Sequence, residues 1–523
     1  MFGIVNCSIS TTCLVGILTG LAVLFYVYVK WSHSYWKRKG VPYLEPEFFY
    51  GNSKKIIKRE ISFGDRFAEI YTEMKSKGWK FGGTYIFTRP SFLPIDLELI
   101  KCILQKDFQH FMNHGFYVNE ESDPLTGHLF NLENQKWKNI RGKLTPTFTS
   151  GKLKMMFQTM AACTEGLAEV LKEYEKINDV VDIKEVLSRF TTDVIGSVAF
   201  GLECNSLKDP DSVFRKYGKK VFEPSFIRRI KMWIMMFTPK HILKKISFKQ
   251  TDAAVEKFFL DTVRDTIKYR EQNNIFRKDF MHLLIQLKNR GEVTDDDKLS
   301  AEVEESQKEM HLTENEIAAQ CFVFFIAGFE TSATTMTFAL YELAANQDIQ
   351  EKLREEVRDV LDKYDGKMTY DAIMEMTYLD KIVNETLRKH PPVPGTPRIC
   401  TKRYQIPGTD IFIEEGTRVN IPIHAIQRDP EYYPDPEKFD PERFNEENKS
   451  KRRPYTFMPF GEGPRICIGA RFGLLQAKVG LTAIISKFVV TINEKTEMPL
   501  KYATNMFITT PKGGLWLNVK EIK

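Results

Sequence analysis

One cysteine, Cys467, has the setting of a reactive thiolate. It lies in the glycine-containing run from Phe457 to Ala470, at the start of an apolar helical stretch, and Arg465 stands two residues before it. The positive end of the following helix, backbone N–H groups beside the glycines and the Arg465 guanidinium would all favour an ionised sulfur. A thiolate in such a setting serves as a metal ligand or as a nucleophile.

An acid and an alcohol, Glu330 and Thr331, are adjacent in the nearly uncharged run from Ile317 to Ala333. The Thr331 hydroxyl can hydrogen-bond back to the Ala327 carbonyl, which bends a helix and opens space for O2 and water. A buried acid beside an alcohol could relay protons. Close packing of small residues explains the same composition equally well.

Glu385 and Arg388 lie three residues apart, so they can pair on one face of a helix. They follow an apolar stripe and precede Pro391, whereas two other pairs with the same spacing read as exposed surface pairs, Glu351/Arg354 and Glu355/Arg358. Arg443 stands downstream in the run Pro441–Phe444. A buried Arg388 needs more than one acceptor, so we predict a network of Glu385, Arg388 and Arg443 that supports shape and has no catalytic role.

The elements that position these residues are predicted to be mainly α-helical with small β-sheets. Strand-like alternation is confined mainly to Thr84–Ile95, Gln405–Ile413 and Lys487–Val519. Thr313 and Glu316 have capping-box spacing, and no proline follows them before Asn346. A helix of this length that is apolar on all sides must run through the middle of the protein.

Helical patterns also cover other segments, and an acidic run from Arg290 to Glu309 is predicted to be a solvated loop. The other expected helices are two within Gly151–Phe200, one over Thr251–Asn273, one over Ile349–Lys363 and one that ends near His390. A proline-rich meander is expected from Pro430 to Pro459.

The first 29 residues carry no charged side chain, and Ile9 to Val29 would span about 31 Å as a helix. Basic residues follow this stretch and none precedes it, so the rest of the chain is expected in the cytosol. A cleaved secretory signal would have a basic start and a shorter apolar stretch. We predict a membrane anchor over residues 1–30, a basic and proline-containing hinge over 31–50 and one domain over 51–523.

Composition excludes several classes of protein. The net charge of +6 is spread along the 523 residues without a polybasic tail, so nucleic-acid binding is not expected. The eight cysteines show neither C-x-x-C nor a framework spacing, which argues against disulfides and structural zinc and favours a reducing compartment. The chain has no dinucleotide fingerprint or flavin motif of its own.

The pattern F-x-x-G-x-R-x-C-x-G, formed by Phe460, Gly463, Arg465, Cys467 and Gly469, resembles the haem-thiolate loop of the cytochrome P450 superfamily. The A-G-x-E-T stretch, the E-x-x-R pair and the P-E-R-F run resemble further elements of that superfamily. The resemblance implies a single-domain cytochrome P450 fold with a long central helix and haem bound through Cys467. It also implies that Thr331, helped by Glu330, delivers protons while O2 is activated, and that Glu385, Arg388 and Arg443 lock the core around the haem loop.

Trp137 and Arg141 lie four residues apart on one helix face and match the W-x-x-x-R element of the superfamily. The resemblance implies that they bind the haem propionates together with Arg398 and Arg465, within a cofactor site that also includes Phe460 and Gly469. Related chains often have an arginine before this helix, where this sequence has His114. We therefore do not count on a propionate contact there.

The run from Trp137 to Lys154 is most similar to microsomal insect members that clear foreign compounds. A lipophilic substrate is then expected, in a pocket formed by residues that agree with the variable substrate segments of the family: Phe111, Phe116, Tyr117, Phe222, Val393, Met506 and Phe507. The segment Phe226–Phe248 could dip into the bilayer as a basic amphipathic element.

The resemblance implies a monooxygenase on the cytosolic face of the endoplasmic reticulum membrane, which uses O2 and NADPH electrons from a flavoprotein reductase. Cytochrome b5 is a second candidate electron donor. A basic face for the acidic reductase would consist of Lys138, Lys143, Lys451, Arg452 and Arg453. Two alternatives stay open, a haem-thiolate peroxide isomerase or dehydratase and a non-catalytic haem sensor. The acid–alcohol pair disfavours both.

Overall fold

The computed structural model describes residues 11–222, 225–293 and 311–522, and most of this part of the chain is helical or forms small sheets. The α-helices are α1 Thr11–His33, α2 Tyr35–Arg38, α3 Lys54–Ile57, α4 Phe63–Ser76, α5 Leu97–Lys101, α6 Asn134–Leu144, α7 Ser150–Ile177, α8 Ile183–Ile195, α9 Val213–Phe222, α10 Phe226–Phe237, α11 Lys240–Lys245, α12 Ala253–Gln272, α13 Phe280–Asn289, α14 Glu314–Ala345, α15 Gln347–Lys363, α16 Tyr370–Glu375, α17 Thr377–Lys389, α18 Ile423–Ile426, α19 Glu446–Lys451 and α20 Ala470–Ile485.

The strands form three small sheets among the described residues. The first has the order β1-β2-β7-β4, in which β2 and β7 run parallel and the other pairs are antiparallel. The second has the antiparallel order β3-β9-β8, and the third pairs β5 with β6. The strand bounds are β1 Phe81–Ile86, β2 Arg89–Pro94, β3 Val180–Asp182, β4 Thr396–Ile399, β5 Tyr404–Gln405, β6 Phe412–Ile413, β7 Arg418–Ile421, β8 Phe488–Ile492 and β9 Trp516–Glu521.

The long helix α14 runs through the core, as its apolar composition predicts. The Thr313 side chain and the Glu316 side chain cap its first turn reciprocally, so the predicted capping box is confirmed. Two glycines allow close packing against it. A Cβ on Gly328 would lie 2.5 Å from Ile195 of α8, and a Cβ on Gly473 of α20 would lie 3.8 Å from the Ser332 hydroxyl. These neighbours hold α14 in place along its length.

The other predicted helices are confirmed with shifts of a few residues at their ends. The predicted strand over Thr84–Ile95 is a hairpin of β1 and β2 that turns at Phe87, a residue with positive φ. The short strands β3, β4 and β7 did not stand out in the sequence, because tertiary pairing outweighs their weak local pattern. Most of the predicted acidic loop, residues 294–310, lies outside the described residues.

Two apolar clusters divide the interior. The larger one lies between the helices around α14, and the smaller one covers the first sheet and reaches back to Trp36 and Val41. Leu44 donates its backbone N–H to the Gly83 carbonyl at 3.1 Å. The predicted hinge is therefore docked onto the sheet over part of its length. This docking gives the chain a defined exit from α1.

Helix α1 is long and apolar enough to cross a membrane, and its residues from Cys13 to His33 are almost entirely exposed. Helix α14 satisfies the same criterion of length and composition, but most of it is buried in the protein. Exposure separates the two helices: α14 is the core helix, and α1 has the character of an anchor.

Candidate active site

The loop that carries Cys467 is held close to the neighbouring chain. Gly463 has a φ of +74°, and a Cβ at this position would lie 1.9 Å from the Leu104 carbonyl oxygen. The Cys467 N–H donates to the Phe460 carbonyl at 2.9 Å, which closes the loop. Gly463 is therefore required by the backbone conformation and by the close approach of Leu104, and Phe460 takes part in closing the loop.

The Cys467 side chain keeps accessible surface, although protein groups surround its sulfur. Burial raises the pKa of its thiol, while the Gly469 N–H and the charge of Arg141 act in the opposite direction. The sequence predicts that Arg465 favours the ionised sulfur, but in the structure the Arg465 guanidinium donates its hydrogen bonds to backbone carbonyls. An ionised sulfur here needs a further positive charge, which a bound metal ion supplies.

One face of α14 is accessible and borders a cleft. Ala327 is exposed in the middle of this buried helix, and Phe324, Gly328 and Thr331 on the same face are half-buried. The Thr331 hydroxyl donates to the Ala327 carbonyl at 2.6 Å, as predicted. Gly473, six residues after Cys467, lies against Ser332. The cysteine loop and the Thr331 segment are thus neighbours across the start of α20.

Glu330 has a partner that the sequence did not indicate. Its Oε1 accepts a hydrogen bond from Lys184 Nζ at 2.7 Å, and both side chains are nearly buried. The same ammonium donates to the Thr334 hydroxyl at 3.0 Å. Lys184 stands in the first turn of α8, where the Asp182 side chain caps the helix. Only the packing of α8 on α14 brings this lysine to the acid, so no local pattern reveals it.

Arg465 and Trp137 are in direct contact. The guanidinium lies 4.0 Å from the centre of the indole ring and donates to the carbonyls of Met112, Leu129 and Leu132. Burial, followed by the charge of Arg398, lowers the pKa of Arg465 to about 8. This arginine is therefore held rigidly in a region of excess positive charge.

Arg398 adds a second buried guanidinium to this region, and the uncharged imidazole of His114 lies beside it. Arg398 on β4 is buried, burial lowers its pKa to about 10, and its Nε has no hydrogen-bond partner among the described residues. His114 Nδ1 donates to the Phe130 carbonyl at 2.8 Å. Burial and the charges of Arg398 and Arg465 hold the pKa of His114 well below its usual value. The structure thus brings His114 to the predicted arginines.

These residues fit a haem. Arg141, Arg398 and Arg465 converge with His114, and no carboxylate of the described residues forms an ion pair with the three arginines. The buried guanidinium groups of Arg398 and Arg465 lack a counter-ion and call for an anion, which two propionates would supply. The accessible Cys467 sulfur would supply the ligand for iron. Phe460 and Gly469, which are half-buried in the same loop, are positioned to border the cofactor.

Glu385 and Arg388 form a fully buried pair on α17, with two hydrogen bonds of 2.7 and 2.8 Å. Arg388 also donates to the carbonyls of Gln427 and Lys438. Arg443 Nε lies 3.5 Å from Glu385 Oε1. The geometry therefore matches the three-member network expected from the sequence and ties α17 to the meander before the cysteine loop.

The predicted substrate residues have different surroundings. Phe222 packs on Phe329 of α14 at 5.6 Å, and Phe116 packs on Phe130 at 5.3 Å. Tyr117 donates its hydroxyl to the Phe248 carbonyl at 3.0 Å. Val393 is half-buried, and two further predicted residues border a cleft beside Pro394, namely Met506 and Phe507.

Phe111 is a core residue, whereas the sequence predicts it in the substrate pocket. It is fully buried and packs on Tyr404 at 4.9 Å in the cluster of the first sheet. Its size and apolar character serve the packing of that sheet, and the sequence alone does not separate a core aromatic residue from one in a pocket.

Comparison with known proteins agrees with this geometry. The family model described as cytochrome P450 matches residues 42–518. Probable cytochrome P450 6a14 of Drosophila melanogaster is 42% identical over 519 residues, which cover 98% of this chain and 99% of that protein. Cytochrome P450 6a2 of the same organism is 43% identical over 96% of this chain and 98% of its own length. Cytochrome P450 6A1 of Musca domestica is 42% identical over 97% of both chains.

The match extends from residue 42 into the last strand, and it includes the cysteine loop, the central helix and the buried Glu–Arg pair. An accessible thiol near arginines that form no ion pair with a carboxylate of the described residues is the arrangement that a haem-thiolate enzyme requires. The chain therefore belongs to the cytochrome P450 family, the monooxygenases that hold haem iron through a cysteine thiolate and activate O2 with electrons derived from NADPH.

Proposed function

We propose that this protein inserts one oxygen atom from O2 into lipophilic small molecules, such as plant toxins, insecticides and other xenobiotics or endogenous lipids and hormones. The electrons come from NADPH through a flavoprotein reductase. The observation that carries this proposal is the accessible Cys467 thiol in the loop before α20, a helix that packs on α14 near the cleft at the exposed Ala327. The organic substrate and the cysteine-bound cofactor would meet in that cleft.

The haem supplies the oxygen chemistry when it is bound, and the residues of this chain hold the cofactor and move protons. Cys467 provides the thiolate, and Arg398 and Arg465 neutralise carboxylates from buried positions. The Thr331 hydroxyl borders the cleft and stays hydrogen-bonded to Ala327. Glu330, one residue before it, is held by Lys184 and is the group positioned to resupply protons to this hydroxyl.

A lipophilic substrate is favoured by the aromatic residues around α14. Phe222 of α9 contacts Phe329, and Phe329 contacts Phe325 at 5.2 Å. Phe116 and Phe130 form a second pair of rings next to His114. Phe325 and Phe329 are buried in the core, whereas Phe222, Phe116 and Phe130 keep accessible ring surface. Such rings contribute dispersion and hydrophobic energy but offer few polar groups, so they favour apolar molecules over charged ones.

A membrane location is supported by a row of aromatic rings that joins α1 to α10. Phe25 lies 5.8 Å from Phe49, Phe49 lies 5.2 Å from Phe87, and Phe87 lies 5.3 Å from both Trp233 and Phe237. The exposed anchor helix and the exposed apolar side of α10 are therefore on one side of the protein. We place this side on the endoplasmic reticulum membrane, with the catalytic domain in the cytosol.

An electron donor is required because the chain has no flavin or nicotinamide motif, and an acidic flavoprotein reductase with cytochrome b5 as a second donor fits the basic residues near α6. Lys138 is exposed and Lys143 is half-buried. Arg452 differs from the expectation: its guanidinium stacks 4.1 Å from the Phe444 ring and donates to the Arg443 carbonyl. It therefore supports the meander and contributes less to the charged surface.

The decisive experiment replaces the sulfur ligand. We expect the purified parent protein to show the strongly red-shifted ferrous carbonyl spectrum of a thiolate-bound haem, and Cys467→Ser to lose it. With reductase, the parent protein should consume NADPH when a lipophile is added. A peroxide isomerase or a haem sensor would not consume NADPH in this way. Retention of the red-shifted spectrum by Cys467→Ser would refute the proposal.

A second variant tests proton delivery. We expect Thr331→Ala to consume NADPH while it releases more hydrogen peroxide and less product, because the hydroxyl at the cleft is lost. Thr337→Val is the matched control, because Thr337 makes the same back-bond, to the Ala333 carbonyl, at a fully buried position. Equal coupling in Thr331→Ala and the parent would remove Thr331 from the mechanism.

A further inference from the structure

The loop that carries Met506 and Phe507 is closed at its base by the backbone. Lys512 donates its N–H to the Lys501 carbonyl at 2.9 Å, and Ala503 donates to the Thr510 carbonyl at 2.8 Å. We call this segment, residues 501–512, the C-terminal loop. Its tip is accessible, and Phe507 packs at 6.1 Å against Phe63 of α4. A narrow cleft with an enclosed volume of about 10 Å³, room for about one water molecule, lies beside the tip, with Pro394 on another side.

The C-terminal loop is tied to the segment that follows α17. The Thr509 N–H donates to the Pro392 carbonyl at 2.9 Å, and its hydroxyl donates to the Pro391 carbonyl at 2.7 Å. Val393 and Pro394 come next in the chain. The two segments that border the cleft therefore move together as one wall.

A buried polar network joins this wall to α14. The Tyr502 hydroxyl lies 2.8 Å from His390 Nδ1, and His390 Nε2 lies 2.6 Å from Glu342 Oε1. Arg428 donates to the same hydroxyl at 3.0 Å, and Lys389 lies 2.8 Å from Glu342. Because Arg428 can only donate, the Tyr502 oxygen accepts from it and donates to His390, which in turn donates to the carboxylate.

Apolar contacts fix the centre of the network. The His390 ring stacks on Phe338 of α14 with a centroid distance of 4.6 Å and an interplanar angle of 9°. The Tyr502 ring meets the same phenylalanine edge-on at 5.8 Å. His390 and Glu342 are both nearly inaccessible to solvent. A satisfied network in such surroundings holds its members in one geometry.

We propose that Tyr502, His390 and Glu342 are positioning residues that determine substrate specificity, because they hold the wall formed by Val393, Pro394, Met506 and Phe507 at a defined distance from the central helix. The inference rests on the proposed function, since this wall must border the bound substrate. The Tyr502 hydroxyl accepts one hydrogen bond from the Arg428 guanidinium and donates another to His390. Its loss should let the wall shift, without effect on the cysteine loop.

The test compares two azoles that bind ferric haem iron and differ in size, imidazole and clotrimazole. We expect Tyr502→Phe and His390→Phe to raise the spectral dissociation constant of clotrimazole about three- to tenfold, the range for one lost hydrogen bond, while that of imidazole stays as in the parent. The double variant should bind clotrimazole as tightly as whichever single variant binds it more weakly, because both changes break one network.

Tyr85→Phe is the matched control, since it removes a buried hydroxyl that accepts from the Trp36 N–H, distant from the C-terminal loop in the chain. It should leave both constants as in the parent. Thr509→Val removes the hydroxyl bond to Pro391 and provides an independent variant if Tyr502→Phe does not fold. This variant should likewise weaken the binding of clotrimazole and leave the binding of imidazole as in the parent.

Unchanged clotrimazole binding in the loop variants, or equal weakening of both azoles, would overturn the inference. Failure of the proposed function would look different, because the parent protein itself would then lack the red-shifted ferrous carbonyl spectrum. The ratio of the two dissociation constants is a readout that a general loss of stability does not move.

Discussion

At the scale of single residues, burial decides the role of a charge pair. Glu385/Arg388 and Glu351/Arg354 have the same spacing, yet the first pair is fully buried and the Glu351 side chain is 56% exposed. A buried ion pair gains little net energy, but removal of one partner leaves an uncompensated charge in a medium of low polarity. An exposed pair is solvated either way.

Glu385→Gln should therefore lower the free energy of unfolding by about 3–5 kcal/mol, because Arg388 keeps its buried charge and loses its carboxylate. Glu351→Gln, the matched control on α15, should change it by less than about 1 kcal/mol. Urea unfolding followed by circular dichroism measures both. Similar losses in the two variants would show that burial does not distinguish these pairs.

A buried histidine gives the fold a pH dependence. Burial lowers the pKa of His128 to about 3, and its Nδ1 has no hydrogen-bond partner among the described residues. In the unfolded chain a histidine binds a proton near pH 6.5, whereas the folded protein keeps His128 neutral to much lower pH. Its contribution to stability is therefore complete above about pH 6.5 and falls as the pH decreases towards 3.

When the pH is lowered from 7 to 5, His128 alone should decrease the free energy of unfolding of the parent protein by about 2 kcal/mol. His128→Phe keeps a ring near Phe322 and removes the titration, so its stability should fall less over the same interval. Urea midpoints at the two pH values measure the difference. Parallel decreases in parent and variant would contradict the assignment to His128.

At the scale of elements, α10 carries an apolar surface that stays largely exposed, although Phe87 contacts two of its rings. None of its residues is buried, and its exposed large side chains include Phe226, Ile227, Ile230, Trp233 and Phe237. Arg228, Arg229 and Lys231 stand among them, as basic residues do in segments that lie in the membrane interface. An interfacial position of Phe226–Phe248 stays a prediction.

We expect Trp233→Ser with Phe237→Ser to release a chain that lacks residues 1–30 from microsomal membranes, because about two large apolar side chains leave the interface. Ile177→Ser, at an apolar residue with 79% exposure at the end of α7, should leave sedimentation with membranes unchanged. Pelleting of the double variant to the same extent as its parent would count against an interfacial α10.

At the scale of the whole molecule, the proposed membrane surface and the proposed reductase surface involve different elements. The apolar helix α1 and α10 share the aromatic row, whereas Lys138 and Lys143 stand on α6 with Trp137 and Arg141, which we propose bind haem. A basic surface on the cysteine side would steer an acidic reductase to the shortest path for electrons.

Reductase-supported turnover should then fall as ionic strength rises from about 0.05 M to 0.5 M, since screening shortens the range of the attraction. Lys138→Glu should raise the KM for reductase several-fold and reduce this salt dependence. Lys257→Glu makes the same change of charge on exposed α12 and should behave as the parent does. No salt dependence, or equal effects of the two reversals, would exclude electrostatic docking near α6.

From the sequence alone follow the haem-thiolate family, the central helix with its capping box, the apolar helix near the N-terminus and the Glu385–Arg388 pair. These features depend on short-range spacing, local periodicity and composition, which are complete within a segment. The tertiary structure alone decided that Lys184 pairs with Glu330 and that His114 joins Arg398 and Arg465. It also placed Phe111 in the sheet core and Tyr502 on His390. Such contacts join residues far apart in the chain, and their energy exists only after the helices pack.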